Sequence, residues 1–174
     1  MQILTSNTHA LLLCTSVLCA ALACGQAQAA PQIQVGGAAQ QLSLSDFERQ
    51  GNTYIAEALV IGDEGQKLTF DIDATVTGHG YQRMEGSDQQ QRTNFRFSAE
   101  LQVTCNGMAI GSDMGNHHAL INGTVNNTQR ELALAIDRSR VTQGECNALN
   151  FTLKGIELKD INALSLAVRI AEAI

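Results

Sequence analysis

A stretch in the middle of the chain carries side chains that bind soft metal ions. Between positions 105 and 118 the sequence contains two methionines, two adjacent histidines and an aspartate. Thioether and imidazole groups are ligands that suit copper. A further histidine, between two glycines, adds another imidazole if its loop folds towards this stretch. The candidate copper ligands are Met108, Met114, His117, His118 and His79.

The same stretch has an interpretation without a metal. Successive side chains of an extended strand point to opposite faces, so His117 and His118 cannot easily reach one ion. A methionine beside a glycine in a long connection between strands is typical of a cover over the edge of the core. The pattern therefore favours a connection between strands. A periplasmic protein that binds copper or another small ligand is the alternative.

Motifs for catalysis are absent from the sequence. It contains no Gly-x-Ser-x-Gly nucleophile motif and no His-Glu-x-x-His zinc motif. Asp71 and Asp73 share one face of a strand pattern, where carboxylates bind calcium in some proteins but more commonly face solvent. We therefore expect a protein that is not an enzyme.

The N-terminal segment predicts export from the cytoplasm. An uncharged apolar run at 10–23 is followed by Ala27-Gln28-Ala29, and small residues two positions apart are typical of a leader-peptidase site. The run is shorter than the roughly 20 apolar residues that a helix needs to cross a membrane. We expect a signal peptide at 1–29, cleaved after Ala29, and a periplasmic or secreted mature chain.

A lipoprotein signal is the second interpretation of the leader. Cys24 follows Ala21-Leu22-Ala23 and would carry the lipid, although the leucine lies one position from its usual place. Under either interpretation we expect no membrane span in the mature chain, and residues 30–174 have the length of one domain.

Charge excludes two classes of partner. The net charge is −6, and the basic residues are scattered along the body. Nucleic acids and anionic membranes require a concentrated positive surface. We therefore expect neither of them as a partner.

The body keeps two of the five cysteines, Cys105 and Cys146. In an exported protein a lone pair of cysteines is most simply a disulfide. A reactive thiol or a metal thiolate would need a neighbouring base or a second nearby cysteine. We expect a structural disulfide that contributes about 4 kcal/mol by loop-closure entropy.

Several segments alternate apolar and polar residues with the period of a β-strand. The clearest run from Lys67 to Thr77 and from Asn94 to Cys105. Weaker alternation predicts strands at 54–61, 119–125, 132–136 and 149–153. We expect one hairpin between the first of these and the Lys67 strand, and another between the second and third.

Three local features complete the pattern. Ser45 is expected to cap one short helical turn. The alternation slips at Gly155, which predicts a bulge. The segment 163–174 fits a helix or a strand, and its alternation favours a strand. Together the segments predict an all-β fold of about seven or eight strands with one disulfide, either an antiparallel β-sandwich or a partly closed barrel.

For function we expect an exported, non-enzymatic binding or structural module of the cell envelope. Its partner is expected to be another protein or further copies of the chain, because sheet edges and loop ends of β-scaffolds recognise proteins.

Overall fold

The computed structural model describes residues 29–87, 90–142 and 144–174, with the backbone alone at 138–141. The expected signal peptide up to residue 28 and the alternative lipidation residue Cys24 lie outside the described residues. Strands make up 72% of the described residues, among which no α-helix occurs, and this confirms the all-β prediction. No helix in that part is both long enough and apolar enough to cross a membrane.

Ten strands are described in chain order. They are β1 (Gln32–Gln34), β2 (Gln40–Ser43), β3 (Glu48–Gln50), β4 (Thr53–Ile61), β5 (Lys67–Glu85), β6 (Arg92–Cys105), β7 (Met108–Asn122), β8 (Gln129–Thr142), β9 (Ala148–Gly155) and β10 (Leu158–Glu172).

A short 3-10 helix, Leu44–Asp46, separates β2 from β3. Its N-cap is Ser43, whose backbone N–H and hydroxyl both donate to Oδ2 of Asp46, at 2.7 and 2.9 Å. The predicted helical turn therefore forms, but its cap lies two residues before Ser45.

The strands form two layers that β5 connects. In the first layer β4 pairs with β1, β3 and β9, β9 pairs with β6, and β6 pairs with β7. The second layer has the order β2, β10, β5 and β8. β5 pairs with β8 as far as His79 and with β10 as far as Gly80, and from Tyr81 onwards it pairs with β6. The result is a nearly closed mixed sheet in which β1 and β4 are the parallel pair.

Two glycines allow β5 to pass between the layers. A Cβ atom on Gly78 would meet the carbonyl oxygen of Asp160, and one on Gly80 would meet the ring of Phe95. Only glycine fits such a close approach, so these positions fix where the strand bends.

The core lies between the two layers. Every second residue of the long strands faces inwards, as in β6, where Phe95, Phe97 and Leu101 are fully buried. β10 contributes Leu166 and Val168 to the same core, so the ambiguous C-terminal segment is a strand. The alternation thus arises because one face of each strand is removed from water.

In the described chain neither predicted hairpin forms. β4 pairs with β9 and β5 pairs with β10, although β4 and β5 are consecutive. β7 pairs with β6 while β8 pairs with β5. Gly155 does not form a bulge but ends β9, and the irregular register lies in β10, between Leu158 and Asp160 and between Ile161 and Ala163. Alternation gives the two faces of a strand but does not identify its neighbours.

Cys105 and Cys146 lie at disulfide-bonding distance, as predicted. Their Cα atoms are 5.2 Å apart and both side chains are fully buried. Beside them the Asn106 side chain donates to the carbonyl oxygen of Glu145 at 2.9 Å and accepts from the N–H of Ala148 at 3.1 Å. The pair therefore fastens the end of β6 to the turn before β9.

Candidate functional site

β7 is a long edge strand. It pairs with β6 from Met108 to Asn122, and in the described chain no strand pairs with its other side. The hairpin that begins β7 turns through Asn106 and Gly107, which both have positive φ angles, as a two-residue type I′ turn requires. An edge strand presents unpaired backbone donors and acceptors, and these form a template for another strand.

The hydrogen bonds of β7 show which of its backbone groups are free. The N–H of Gly123 donates to the carbonyl oxygen of Gln91 at 2.9 Å, directly beyond the Arg92–Asn122 register pair. Because an antiparallel strand directs alternate residues to opposite sides, the odd-numbered residues of β7 bond to β6. The even-numbered residues therefore direct their N–H and C=O groups away from β6, and these are Ser112, Met114, Asn116, His118, Leu120 and Asn122. The N–H of Met114 is not free, because it donates to Oδ1 of Asp113.

The same even-numbered residues form the outer face of β7. Met114 is 56% exposed and Leu120 is 54% exposed. The outer face of β7 from Ser112 to Asn122 carries no acidic residue, lysine or arginine. Natural edge strands commonly carry such charges, which discourage pairing with other chains. The outer face of this long edge is therefore partly apolar and carries no charge.

The inner face of β7 is narrow and lies against β8. A Cβ atom on Gly115 would approach a methyl group of Leu134 at 3.0 Å and the Cβ atom of Leu132 at 3.3 Å. Asp113 bridges the two strands: its Oδ1 accepts the N–H of Met114 and its Oδ2 accepts the N–H of Ala135, both at 2.9 Å. A carboxylate therefore occupies the place where a ladder of backbone bonds between β7 and β8 would begin.

The two adjacent histidines lie on opposite faces of β7. His118 is on the outer face, where its Nε2 lies 2.9 Å from Oδ1 of Asn94. His117 is on the inner face and packs edge-on against the ring of Phe95, with ring centroids 5.7 Å apart. The guanidinium of Arg130 lies 4.7 Å from the centroid of the same ring. The histidines therefore take part in two separate sets of contacts.

The structure does not bring the five candidate copper ligands together. Met108 and Met114 are six residues apart on one strand, which corresponds to about 20 Å. His79 is on β5, and its Nδ1 lies 2.8 Å from Oδ1 of Asp160 on β10. Among the described residues no three His, Cys, Asp or Glu side chains form a group that would hold a metal ion. The copper site stays a prediction without support from this geometry.

His79 and Asp160 form the one imidazole–carboxylate pair in the described ranges. The hydrogen bond from His79 lowers the pKa of the Asp160 carboxyl, and the His79 backbone N–H adds a second bond at 3.2 Å. Both side chains are more than 40% exposed. The pair closes the bend of β5 against β10 and has the form of a local structural contact.

The acidic residues lie on the outer face of the second layer. Asp71 and Asp73 are exposed on β5, and Asp71 lies in register with Asp137 on β8 and with Arg169 on β10. Glu131 is also exposed on the outer face of β8. The edge of β8 is therefore acidic, unlike the edge of β7.

Sequence reasoning missed that the stretch after Cys105 is a strand rather than a loop. Its inward-facing residues are Gly111, Asp113, Gly115 and His117. Because none of these is a large apolar residue, the stretch does not show the alternation of apolar and polar residues that marks the other strands. The Asn106-Gly107 pair, directly after the strongest strand, was the available signal, because this dipeptide is typical of a tight hairpin turn.

Comparison of the chain with models of known protein families and with curated proteins gives no match.

Proposed function

We propose that the chain is a non-enzymatic binding or assembly module of the cell envelope, which engages a partner protein by adding a strand of that partner to the free edge of β7. Strand addition gives affinity through backbone hydrogen bonds and specificity through alternate side chains. The observation that carries the proposal is the row of N–H and C=O groups that β7 directs away from β6 between Ser112 and Asn122, in which the N–H of Met114 is bonded to Oδ1 of Asp113.

The other edges suit a partner strand less well. β8 also has a free side, but Glu131 and Asp137 would have to be placed against the incoming chain. β1, β2 and β3 have only three or four residues each. Short edges and charged outer faces protect against pairing, whereas β7 is long and its charged residue in this segment, Asp113, is on the inner face.

Export is supported by two features. The apolar run and Ala27-Gln28-Ala29 have the form of a cleaved leader, and two cysteines lie at disulfide-bonding distance. A periplasmic or secreted location follows from cleavage after Ala29. Attachment by lipid at Cys24 would place the same edge at a membrane surface.

Site-specific photocrosslinking in the source cells tests the function. A photoreactive phenylalanine analogue replaces Asn116, whose backbone is on the free edge, or Gln102, which is also exposed but lies on β6. We expect an adduct from position 116 and none from position 102, because β7 separates Gln102 from an added strand.

A proline variant supplies the backbone control. Asn116→Pro removes an N–H that points to the free side, so the ladder to β6 is kept, and proline is tolerated on edges of this kind. We expect this substitution to abolish the adduct formed by the analogue at position 112. Correctly exported protein that gives no adduct from position 112 or 116 would overturn the proposed function.

A further inference from the structure

We infer that a cleft on the outer face of β5 and β6 binds one ring of a neutral saccharide. This inference goes beyond the proposed function and does not depend on strand addition to β7. The cleft has a volume of about 180 Å³. Pockets that enclose drug-sized molecules have roughly 300–1,000 Å³, so this cleft holds one small unit and leaves the rest of a longer molecule in solvent. We call it the β5–β6 cleft, and it is lined by Tyr81, Arg83, Glu85, Asn94, Arg96 and Glu157.

The floor of the β5–β6 cleft is the part of β5 that pairs with β6. In this ribbon Tyr81 lies opposite Arg96, and Arg83 lies opposite Asn94. Residues two positions apart on a strand point to the same face, so these four side chains rise from one surface. Two paired strands therefore fix the spacing of the polar groups.

The wall of the β5–β6 cleft is the turn between β9 and β10. The N–H groups of Ile156 and Glu157 donate to the carbonyl oxygen of Ser98 on β6, at 3.0 and 3.4 Å. These bonds hold the turn against β6 and place the Glu157 carboxylate 2.7 Å from Nη1 of Arg96. The turn therefore gives the ribbon a concave side.

Hydrogen bonds connect the polar side chains of the cleft into one network. Arg96 donates to Glu157, and its Nε donates to Oδ1 of Asn94 at 3.4 Å. The amide of Asn94 donates in turn to Oε1 of Glu85 at 3.1 Å. In the described chain this network leaves Oε2 of both glutamates as acceptors. Within the same residues, the Arg83 guanidinium and the Tyr81 hydroxyl have no hydrogen bond and are available to a ligand.

The charges of the cleft favour a ligand that is polar and uncharged. Two guanidinium groups and two carboxylates line the cleft, so its formal charge is zero in a chain of net charge −6. A hydroxyl group donates one hydrogen bond and accepts others. Neighbouring hydroxyls of one sugar ring can therefore donate to a glutamate and accept from an arginine at the same time, and such charge-assisted bonds are the stronger ones. An anionic ligand would meet both glutamates.

Tyr81 supplies the apolar contact that a sugar ring requires. Its side chain is 54% exposed, whereas Tyr54 is buried in the core. A tyrosine ring has a broad apolar face and a polar hydroxyl. The C–H face of a sugar ring covers that apolar face and removes it from water, while the hydroxyls at the edge of the sugar reach the charged network. This combination distinguishes a saccharide from a ligand without an apolar face.

NMR titration of the ¹⁵N-labelled mature chain, residues 30–174, tests the inference. The neutral probes are glucose, galactose, mannose and N-acetylglucosamine, and the charged probes are glucuronate and glycine. We expect at least one neutral sugar to shift the Nε–Hε resonances of Arg83 and Arg96 in a saturable way. A single ring makes few contacts, so we expect a dissociation constant of about 1–10 mM.

Four variants locate the binding. Tyr81→Ala removes the apolar face and Arg83→Gln removes the guanidinium, and we expect each to raise the dissociation constant about tenfold. Leu120→Ala is the control for the first, because Leu120 is also 54% exposed on the outer face but does not line the cleft. Arg92→Gln is the control for the second, because Arg92 is on the same ribbon, opposite Glu85, and is outside the cleft. We expect both controls to bind as the wild type does.

Three results would overturn the inference. The first is that none of the four neutral sugars shifts the arginine resonances. The second is that glucuronate or glycine binds more tightly than every neutral sugar, which would indicate a site for carboxylates. The third is that Leu120→Ala and Arg92→Gln weaken binding as much as Tyr81→Ala and Arg83→Gln do.

Discussion

Replacing Asp113 tests the contact between β7 and β8 most directly. The carboxylate accepts two backbone N–H groups, one from Met114 and one from Ala135, each at 2.9 Å. Asp113→Ala removes both acceptors. Asp113→Asn keeps one acceptor oxygen and replaces the other with an amide group that can only donate.

The magnitude follows from the number and exposure of these bonds. Hydrogen bonds to charged groups contribute about 1.5–3 kcal/mol each. Asp113 is only half-buried, so water replaces part of each lost bond and the lower end of the range applies. We expect Asp113→Ala to lower the free energy of unfolding by about 2–3 kcal/mol and Asp113→Asn by about half as much.

Two measurements check this expectation. Urea denaturation gives the free energy of unfolding, with Ser112→Ala as a control at the exposed neighbour. Amide hydrogen exchange locates the effect, because the N–H of Ala135 should exchange about tenfold faster or more in Asp113→Ala. The amide of Leu134 is the internal reference, since even-numbered residues of β8 bond to β5, as the bond from Gly80 to Thr128 indicates.

If exchange at Ala135 is unchanged in Asp113→Ala while the protein remains folded, the carboxylate does not hold β8 to β7. A loss of stability with equal acceleration at Ala135 and Leu134 would indicate general destabilisation of β8 instead of a broken bridge.

Four further predictions follow from other parts of the fold. Gly80→Ala places a methyl group against the ring of Phe95, and we expect thermal denaturation to show a loss of about 1–3 kcal/mol from overpacking. The hydrogen bond from His79 lowers the pKa of the Asp160 carboxyl in the folded state. The ionised carboxyl therefore stabilises the protein above its unfolded pKa of about 3.9, and this contribution is lost as the pH falls through the lower pKa of the folded state. The difference in urea midpoint between the wild type and Asp160→Asn should therefore be present at neutral pH and close in strong acid. Replacing both paired cysteines with alanine should lower the free energy of unfolding by up to about 4 kcal/mol in urea titrations. Because β7 holds its adjacent histidines on opposite faces, replacing both with alanine should leave the affinity for Cu(II) unchanged in calorimetry.

The elements of the fold were largely predictable from sequence, whereas their pairing was not. Inward positions such as Phe70 and Phe97 alternate with polar residues, and burial of one face produces this pattern directly. The neighbours of each strand depend on contacts distant in sequence, such as that of β4 with β9. Nothing in a local two-residue period distinguishes a hairpin from two strands in different layers.

The candidate site was hidden for a related reason. An edge strand needs less apolar surface than a central one, and the inner face of β7 is made from Gly111, Gly115, Asp113 and His117. The methionines and histidines suggested a metal site because their side-chain chemistry suits copper. The sequence did not show on which face of the strand each of them lies. In an extended strand, a rise of about 3.3 Å per residue places these side chains far apart. The exposed Met114 lies on the outer face of that strand.

The geometry of β7 also explains why one strand can hold the sandwich closed and still accept a partner. In an antiparallel strand, side-chain direction and hydrogen-bond direction alternate with the same period of two. In β7 the odd-numbered residues therefore both face the core and bond to β6. The even-numbered residues face outwards and direct their backbone groups away from β6, where the N–H of Met114 bonds to Asp113. Substitutions at Asp113 or Gly115 should act on the contact with β8, and substitutions at Met114 or Leu120 should act on the added strand. A partner whose binding responded equally to both sets would require β7 to separate from β8, which strand addition does not involve.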